Sequence, residues 1–178
     1  MSRGIVVYRS KYGATARYAG WLADAVGFDI ADVRQADPRQ LTDCDTIVHC
    51  GAVYATGIAG VRFLRTSLQQ APGTRTAILA VGASPPSDEG LDALRRRNLC
   101  GPLADLPLFY ARGAWDLSRM SLKDRLLCRI LLRSVAKKDP AACEPWEAAL
   151  IEAGEEPGDW TDRDALTPVI DWVRAGRP

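Results

Sequence analysis

The stretch that most constrains the fold is an apolar run, a short polar loop and an amphipathic segment, in the sequence GIVVYRSKYGATARYAGWLADAV of residues 4–26. Residues 4–9 are apolar and rich in β-branched side chains, which is typical of a strand that is buried on both faces of a sheet. Apolar side chains then recur at helical spacing over residues 14–26. The sequence therefore predicts a β-strand, a tight loop and an α-helix.

The loop between these two segments combines features that favour binding of an anion. It consists of Ser10, Lys11, Tyr12, Gly13, Ala14 and Thr15. It supplies two hydroxyl groups, a flexible glycine and several backbone N–H groups at the predicted N-terminus of a helix. Unpaired N–H donors and the helix dipole both attract negative charge at such a place. The alternative interpretation is an ordinary strand-to-helix turn capped by Ser10 and Thr15.

Four more apolar runs of strand length follow, separated by segments of helical or turn character. The predicted strands are residues 28–33, 45–51, 76–82 and 106–111, with a helical turn at 38–41, a helix over about 58–71 and another after Ser87. Apolar strands that alternate with helices are typical of a parallel sheet covered on both faces. We therefore predict an α/β fold with a doubly wound, five-stranded parallel sheet in the order 2-1-3-4-5. Its ligand crevice would lie at the carboxyl ends of the first and third strands.

Ser10, Gly13 and Thr15 match the pattern Thr/Ser-x-Thr-Gly-x-Thr, so the loop resembles the phosphate loop of flavodoxins. Tyr12 stands where that family prefers threonine, which leaves more of the phosphate contact to the backbone donors and to Lys11. The resemblance implies a flavodoxin-like fold with FMN as the cofactor. The phosphate would be held by the N–H groups of the loop and by the hydroxyls of Ser10 and Thr15.

The same resemblance implies that two further loops flank the isoalloxazine ring of FMN. The loop after the third strand contains Ala52, Val53, Tyr54, Ala55, Thr56 and Gly57, and the loop after the fourth begins with Gly82, Ala83 and Ser84. Tyr54 is the candidate for stacking on the flavin. The second of these loops has no aromatic residue, which leaves one flavin face open or covered by a later segment, for example by Trp115. No catalytic residue is predicted, because no nucleophile lies beside a base.

A helical insertion, at about residues 115–159, separates the fifth predicted strand from the last helix. A long helix is predicted over 121–137, with Ser121 and Asp124 as a capping box. Its apolar side chains form two arcs with basic residues between them. The first arc contains Leu127, Cys128, Leu131, Leu132 and Val135, and the second contains Leu122, Leu126 and Ile130. One arc is expected to cover the core, and the second indicates contact with a membrane surface, a partner protein or a second copy in a homodimer. The alternative is a core helix whose basic side chains extend past apolar surface.

The insertion resembles that of flavodoxin-type protoporphyrinogen oxidases, in the sequence Arg112-Gly113-Ala114 and in the helix around Asp124 and Arg125. This resemblance implies a flavoprotein that transfers electrons from protoporphyrinogen to a quinone. It also implies peripheral contact of the 121–137 helix with the inner face of the membrane. One alternative is a soluble electron carrier or quinone reductase with a protein redox partner. Another is a binding module of the same fold without a cofactor.

Length, charge and cysteine content limit the class of protein and the kind of partner. A chain of 178 residues predicts a single domain, and a formal net charge of +1 argues against nucleic acid as a partner. The five cysteines include no CxxC pair, so we expect reduced thiols in a cytoplasmic protein and no metal site. No signal peptide or membrane-spanning run is predicted. The single histidine, His49, lies in an apolar strand and is interpreted as a packed core residue rather than a general base.

Overall fold

The computed structural model describes residues 3–54, 56–139 and 142–176. The main sheet contains β1 (Gly4–Arg9), β2 (Asp29–Asp32), β3 (Thr46–Tyr54), β4 (Gly57–Ile58), β5 (Arg75–Gly82) and β6 (Leu108–Arg112). Five of these strands are parallel and lie in the spatial order β2-β1-β3-β5-β6. The short β4 folds back antiparallel on the end of β3. With β4 set aside, this is the order 2-1-3-4-5, so the predicted fold class is confirmed.

Helices cover both faces of the sheet because the inner strands β1, β3 and β5 present apolar side chains on both sides. The helices are α1 (Ala14–Val26), α2 (Val61–Gln70), α3 (Asp88–Asn98), α4 (Leu122–Val135), α5 (Pro145–Ala153) and α6 (Thr167–Ala175). One apolar cluster joins α1 and α6 to the sheet through side chains such as Leu22, Val48 and Val169. The other joins α2 and α3 to the opposite face through Leu64, Leu94 and others.

The predicted boundaries of β1 and α1 are confirmed. Other boundaries differ, most of all at the end of the third strand and the start of the second helix. The third strand continues past Gly51 to Tyr54, because Val53 and Tyr54 pair with Ile58 and Gly57 of β4. For the same reason the helix predicted to start near residue 58 begins only at Val61. A two-residue connection therefore links β3 and β4, in the region that the sequence predicted to be an open loop.

The insertion leaves the sheet through a short antiparallel stem. In this stem β7 (Ala114–Trp115) pairs with β8 (Gly158–Asp159), so the residues between the two strands form one excursion from the sheet edge. The stem is tied to α1, since the guanidinium of Arg17 donates to the carboxylate of Asp159 and to the hydroxyl of Thr161, each at 2.7 Å. After the stem, a short helical turn at Arg163–Leu166 leads into α6.

The long helix of the insertion is only partly covered by the rest of the protein. Val135 is buried, whereas Leu122, Leu126 and Ile130 of the second predicted arc are exposed. Leu127, from the first predicted arc, is also 55% exposed, so that arc is not covered along its whole length. Within the described part of the chain, no helix is both long and apolar enough to cross a bilayer.

Candidate functional site

The loop between β1 and α1 brings backbone donors to the carboxyl edge of the sheet. Gly13 is the N-cap of α1 and has φ +101°, a conformation that favours glycine. No side chain of the described residues caps this helix end, so its first N–H groups stay available to a ligand. A Cβ at Gly13 would meet no described atom within 4 Å, which indicates open space above the loop. The hydroxyl of Ser10 accepts from the Gly13 N–H at 3.2 Å, while Thr15 is buried.

A carboxylate from the insertion lies against this loop. Asp124, in the first turn of α4, accepts hydrogen bonds from the ammonium of Lys11 and the hydroxyl of Tyr12. The bond from Lys11 holds the pKa of Asp124 below its usual range, with the Tyr12 bond adding to the effect, so the carboxylate is charged at neutral pH. The predicted capping box is therefore confirmed only in part. Ser121 accepts from the Asp124 N–H at 3.2 Å, but the Asp124 side chain bonds the loop.

Arg9, the last residue of β1, directly precedes the loop. One of its guanidinium nitrogens, Nη1, is buried and has no hydrogen-bond partner among residues 3–54, 56–139 and 142–176. A buried donor without a partner costs free energy, so this nitrogen is a candidate for contact with a bound ligand. Arg9 was not predicted as a site residue, because it stands within a strand pattern.

The β3–β4 hairpin lies beside residues 10–15, the predicted anion-binding loop (hereafter the anion loop), at the same edge of the sheet. The ring of Tyr54 meets the ring of Tyr12 edge to face, with their centroids 6.4 Å apart. Tyr54 remains 41% exposed, and partial burial raises the pKa of its hydroxyl to about 12, so the ring is neutral. The fold thus brings together two of the three predicted loops. Ala55, another predicted site residue, falls outside the described part of the chain.

Thr56, at the tip of this hairpin, has φ +70° and is the only described non-glycine residue with a positive φ. Two-residue hairpins require positive φ values, which suit glycine or asparagine. For a β-branched residue such a conformation costs about 1–3 kcal/mol and persists only when surrounding contacts enforce it. The strain therefore calls for an explanation in the contacts of the hairpin.

Two buried side chains hold the segment from Thr56 to Ala59. Asn98, at the end of α3, accepts from the N–H of Ile58 and donates to the carbonyl of Thr56, both at 2.8 Å. His49 Nε2 donates to the carbonyl of Ala59 at 2.8 Å, so this ring nitrogen carries a hydrogen. Complete burial lowers the pKa of His49 to about 4. The interpretation of His49 as a core residue is confirmed, but Asn98 was not singled out in the sequence.

Glycines allow the hairpin to lie this close to the sheet. A Cβ at Gly51 would approach the Ile58 side chain to 2.4 Å and the Ala59 carbonyl to 2.7 Å. A Cβ at Gly60, which has φ +88°, would come within 2.5 Å of the His49 ring. Ala52 accepts from the Ala59 N–H at 2.9 Å, and Val53 is half-buried opposite Ile58. Ala52 and Val53 are therefore strand residues that support the hairpin.

The third predicted loop follows β5 and is fixed by side chains of β6. The hydroxyl of Tyr110 donates to the carbonyl of Ser84 at 2.7 Å, and the Nε of Arg112 donates to the carbonyl of Ala83 at 3.0 Å. Gly82 is buried, and a Cβ there would lie 2.7 Å from the Tyr110 hydroxyl. Sequence reasoning could not find these anchors, since polar groups in a strand give no sign of the loop that they hold.

Trp115, which the sequence suggested as a cover for an open flavin face, has its hydrogen-bond partner within the insertion. Its indole N–H donates to the carbonyl of Gly154 at 3.0 Å, within the insertion. The insertion reaches the site through Asp124 instead. Gly113, where the stem begins, lies close to the site as well, since a Cβ there would be 3.4 Å from the Cβ of Ala14. Among the described residues no cluster of three side chains suited to a metal is present.

Comparison with known proteins assigns the fold to a family. The family model for the flavodoxin domain matches residues 5–141. The chain belongs to this flavodoxin family. No curated protein matches it significantly.

Solved structures with related folds have low sequence identity. A WrbA-like flavodoxin from Agrobacterium tumefaciens is 18% identical, with a TM-score of 0.42, over 70% of this chain and 88% of that one. The two-electron reduced flavodoxin of Megasphaera elsdenii is 16% identical, with a TM-score of 0.47, over 61% of this chain and 84% of that one. An archaeal flavodoxin is 14% identical, with a TM-score of 0.44, over 72% of this chain and 92% of that one.

Proposed function

We propose that this flavodoxin-family protein binds FMN at the carboxyl ends of β1 and β3 and takes part in electron transfer. The observation that carries the proposal is the N-terminus of α1, which no described side chain caps, beside the ammonium of Lys11 and the open space over Gly13. Such a helix end is suited to a phosphate group. Membership of the flavodoxin family supports the choice of FMN over other phosphate ligands.

The residues of the site fit the two ends of FMN. Backbone N–H groups after Gly13, together with Lys11, would hold the phosphate, and the buried Nη1 of Arg9 is a further donor in the same region. The half-exposed ring of Tyr54 offers an apolar face to the isoalloxazine. Bound FMN would supply the redox chemistry, while the chain binds and orients it. The Asp124 carboxylate must yield or shift when the phosphate arrives, because the two charges repel.

Purification of the protein followed by an FMN titration tests this proposal. We expect the protein to purify yellow, with FMN bound. If it purifies as the apoprotein, it should quench the fluorescence of added FMN with a dissociation constant on the order of 1 μM or lower. Riboflavin, which lacks the phosphate, should bind at least tenfold more weakly. A colourless protein that leaves FMN fluorescence unchanged would overturn the proposed function.

For the substrate we propose protoporphyrinogen, with a quinone as the electron acceptor. The exposed apolar side chains of α4 support this, since Leu122, Leu126 and Ile130 lie beside basic residues and would suit an anionic membrane surface where quinones dissolve. Anaerobic mixing with protoporphyrinogen should bleach the flavin band, and a quinone should restore it. A protein that exchanges electrons only with soluble carriers would favour the alternative of a soluble electron carrier.

A further inference from the structure

Asn98 holds the strained hairpin beside the candidate flavin site without being part of either flanking loop. It is the last residue of α3, and it is buried, with 8% of the residue exposed. Its Oδ1 accepts from the Ile58 N–H, and its Nδ2 donates to the carbonyls of Thr56 and Leu94 at 2.8 and 2.9 Å. Both amide hydrogens and the amide oxygen are therefore engaged.

These bonds act on the two peptide groups that set the conformation of the hairpin tip. The first peptide group contains the carbonyl of Thr56, the residue with φ +70°, and this carbonyl accepts from Asn98. The second contains the N–H of Ile58, which donates to Asn98. Release of the two groups would remove two of the contacts that hold the Thr56 backbone at a positive φ. Asn98 thus fixes the orientation of the peptide groups between Thr56 and Ile58.

The hairpin tip also determines where Tyr54 lies. Tyr54 pairs with Gly57 across the hairpin, and its ring meets Tyr12 of the anion loop. A hairpin that relaxes would therefore move both the ring and the backbone groups at the edge of the crevice. His49 holds only the later part of the segment, through Ala59, and cannot replace the two bonds of Asn98.

We propose that Asn98 is a positioning residue for the flavin. By keeping the hairpin in its strained conformation, Asn98 sets the FMN affinity and the midpoint potential of the bound flavin. The proposal rests on the proposed function. Asn98 does not touch the ligand, and its effect is transmitted through the Thr56 carbonyl and the Ile58 N–H. The hairpin depends on these bonds because Thr56 has a strained backbone conformation that they help to hold.

The test is a double-mutant cycle of Asn98→Ala and Thr56→Gly. Glycine adopts a positive φ without strain, so the hairpin of the double variant should keep its shape without Asn98. We expect Asn98→Ala to raise the dissociation constant for FMN about tenfold, to shift the midpoint potential of the bound flavin and to speed amide exchange at Ile58 in the apoprotein. Thr56→Gly in the Asn98→Ala background should recover most of the FMN affinity.

Ser67→Ala is the matched control. Ser67 is also a buried polar residue near the end of a helix, and its hydroxyl donates to the carbonyl of Phe63 at 3.0 Å, away from the hairpin. It should lower thermal stability while leaving FMN affinity within twofold of wild type. An equal change of affinity in Ser67→Ala would show that Asn98 acts only through general stability, and would overturn the proposal.

The remaining outcomes separate this inference from the proposed function. Wild-type affinity and potential in Asn98→Ala would overturn the role of Asn98 alone. Wild-type protein that binds no FMN would overturn the proposed function and this role with it. If Asn98→Ala does not fold, a double variant that folds and binds FMN supports the role, and one that does not fold or does not bind overturns it.

Discussion

The ammonium group of Lys11 forms an ion pair with the carboxylate of Asp124, which is 113 residues later in the chain. Lys11 belongs to the anion loop after β1, and Asp124 belongs to the first turn of the insertion helix α4. The same carboxylate accepts from Tyr12, so two of the six loop residues are held by the insertion. An anion that binds the loop must therefore compete with Asp124 for Lys11.

We expect Asp124→Asn to strengthen FMN binding to the apoprotein about fivefold. The change frees Lys11 for the phosphate and removes a like charge beside it. Because such charges are exposed, the gain should shrink at high ionic strength. Fluorescence titrations of apoprotein with FMN at low and high salt measure both effects.

Glu155→Gln is the matched control for the Asp124 variant. Glu155 is another acidic residue of the insertion, and it pairs with Arg129 at 3.3 Å rather than with the anion loop. Its substitution should leave FMN affinity unchanged at either salt concentration. Weaker binding in Asp124→Asn would show instead that the carboxylate supports the cofactor-bound conformation of the loop.

Gly13 should be required for both the loop conformation and FMN binding. Alanine at φ +101° is strained, so Gly13→Ala is expected to lower the free energy of unfolding by about 1–2 kcal/mol and FMN affinity at least tenfold. Gly20→Ala is the control, since it lies within α1 with open space around its Cβ. It should stabilise the protein by about 0.5–1 kcal/mol. Equal FMN affinity in the two variants would contradict the phosphate-loop assignment.

The local hydrophobic pattern of the sequence was sufficient to predict β1, α1 and the order of the parallel strands. The limits of β1 and α1 follow from a change of hydrophobic period at Ser10, and the parallel order follows from apolar strands that alternate with helices. The position of the loop between β1 and α1 could be predicted as well, because it stands at the junction of these two elements. Each of these features is encoded within a few neighbouring residues.

The contacts that complete the site could not be predicted, because they join residues distant in sequence. Asn98 reaches Thr56 across 42 positions, and nothing near Asn98 indicates that its amide holds a hairpin. The exposure of Leu127 could not be predicted for a related reason. Helical periodicity shows which side chains share a face, but the degree of burial depends on how closely α4 packs on its neighbours, and only Val135 of that helix is buried.

His49 should make stability depend on pH below neutrality. Its pKa is about 4 in the folded protein and about 6.5 in the unfolded chain, so between these values the unfolded state binds more protons. Stability is therefore lost as pH falls from about 6.5 towards 4, by up to about 1.4 kcal/mol per pH unit. Urea unfolding at several pH values measures this slope.

Because His49 is the single histidine, His49→Gln isolates its contribution. The difference in unfolding free energy between wild type and this variant should change by about 2 kcal/mol between pH 7 and pH 4.5. Carboxylates that titrate near pH 4 affect both proteins equally and cancel in that difference. Parallel pH profiles for the two proteins would mean that protonation of His49 costs the folded protein no stability, and would contradict the prediction.

The exposed face of α4 should bind membranes that contain anionic lipids. Leu126 and Ile130 are 61% and 55% exposed, and replacing both with serine removes apolar surface that a bilayer interface would cover. We expect the double variant to lose at least tenfold in binding to anionic vesicles, measured by co-sedimentation, with FMN affinity unchanged. Ile151→Ser, at an exposed apolar residue of α5, should bind vesicles like wild type. Wild-type protein that ignores vesicles but dimerises through α4 in sedimentation experiments would assign this face to a second copy of the chain.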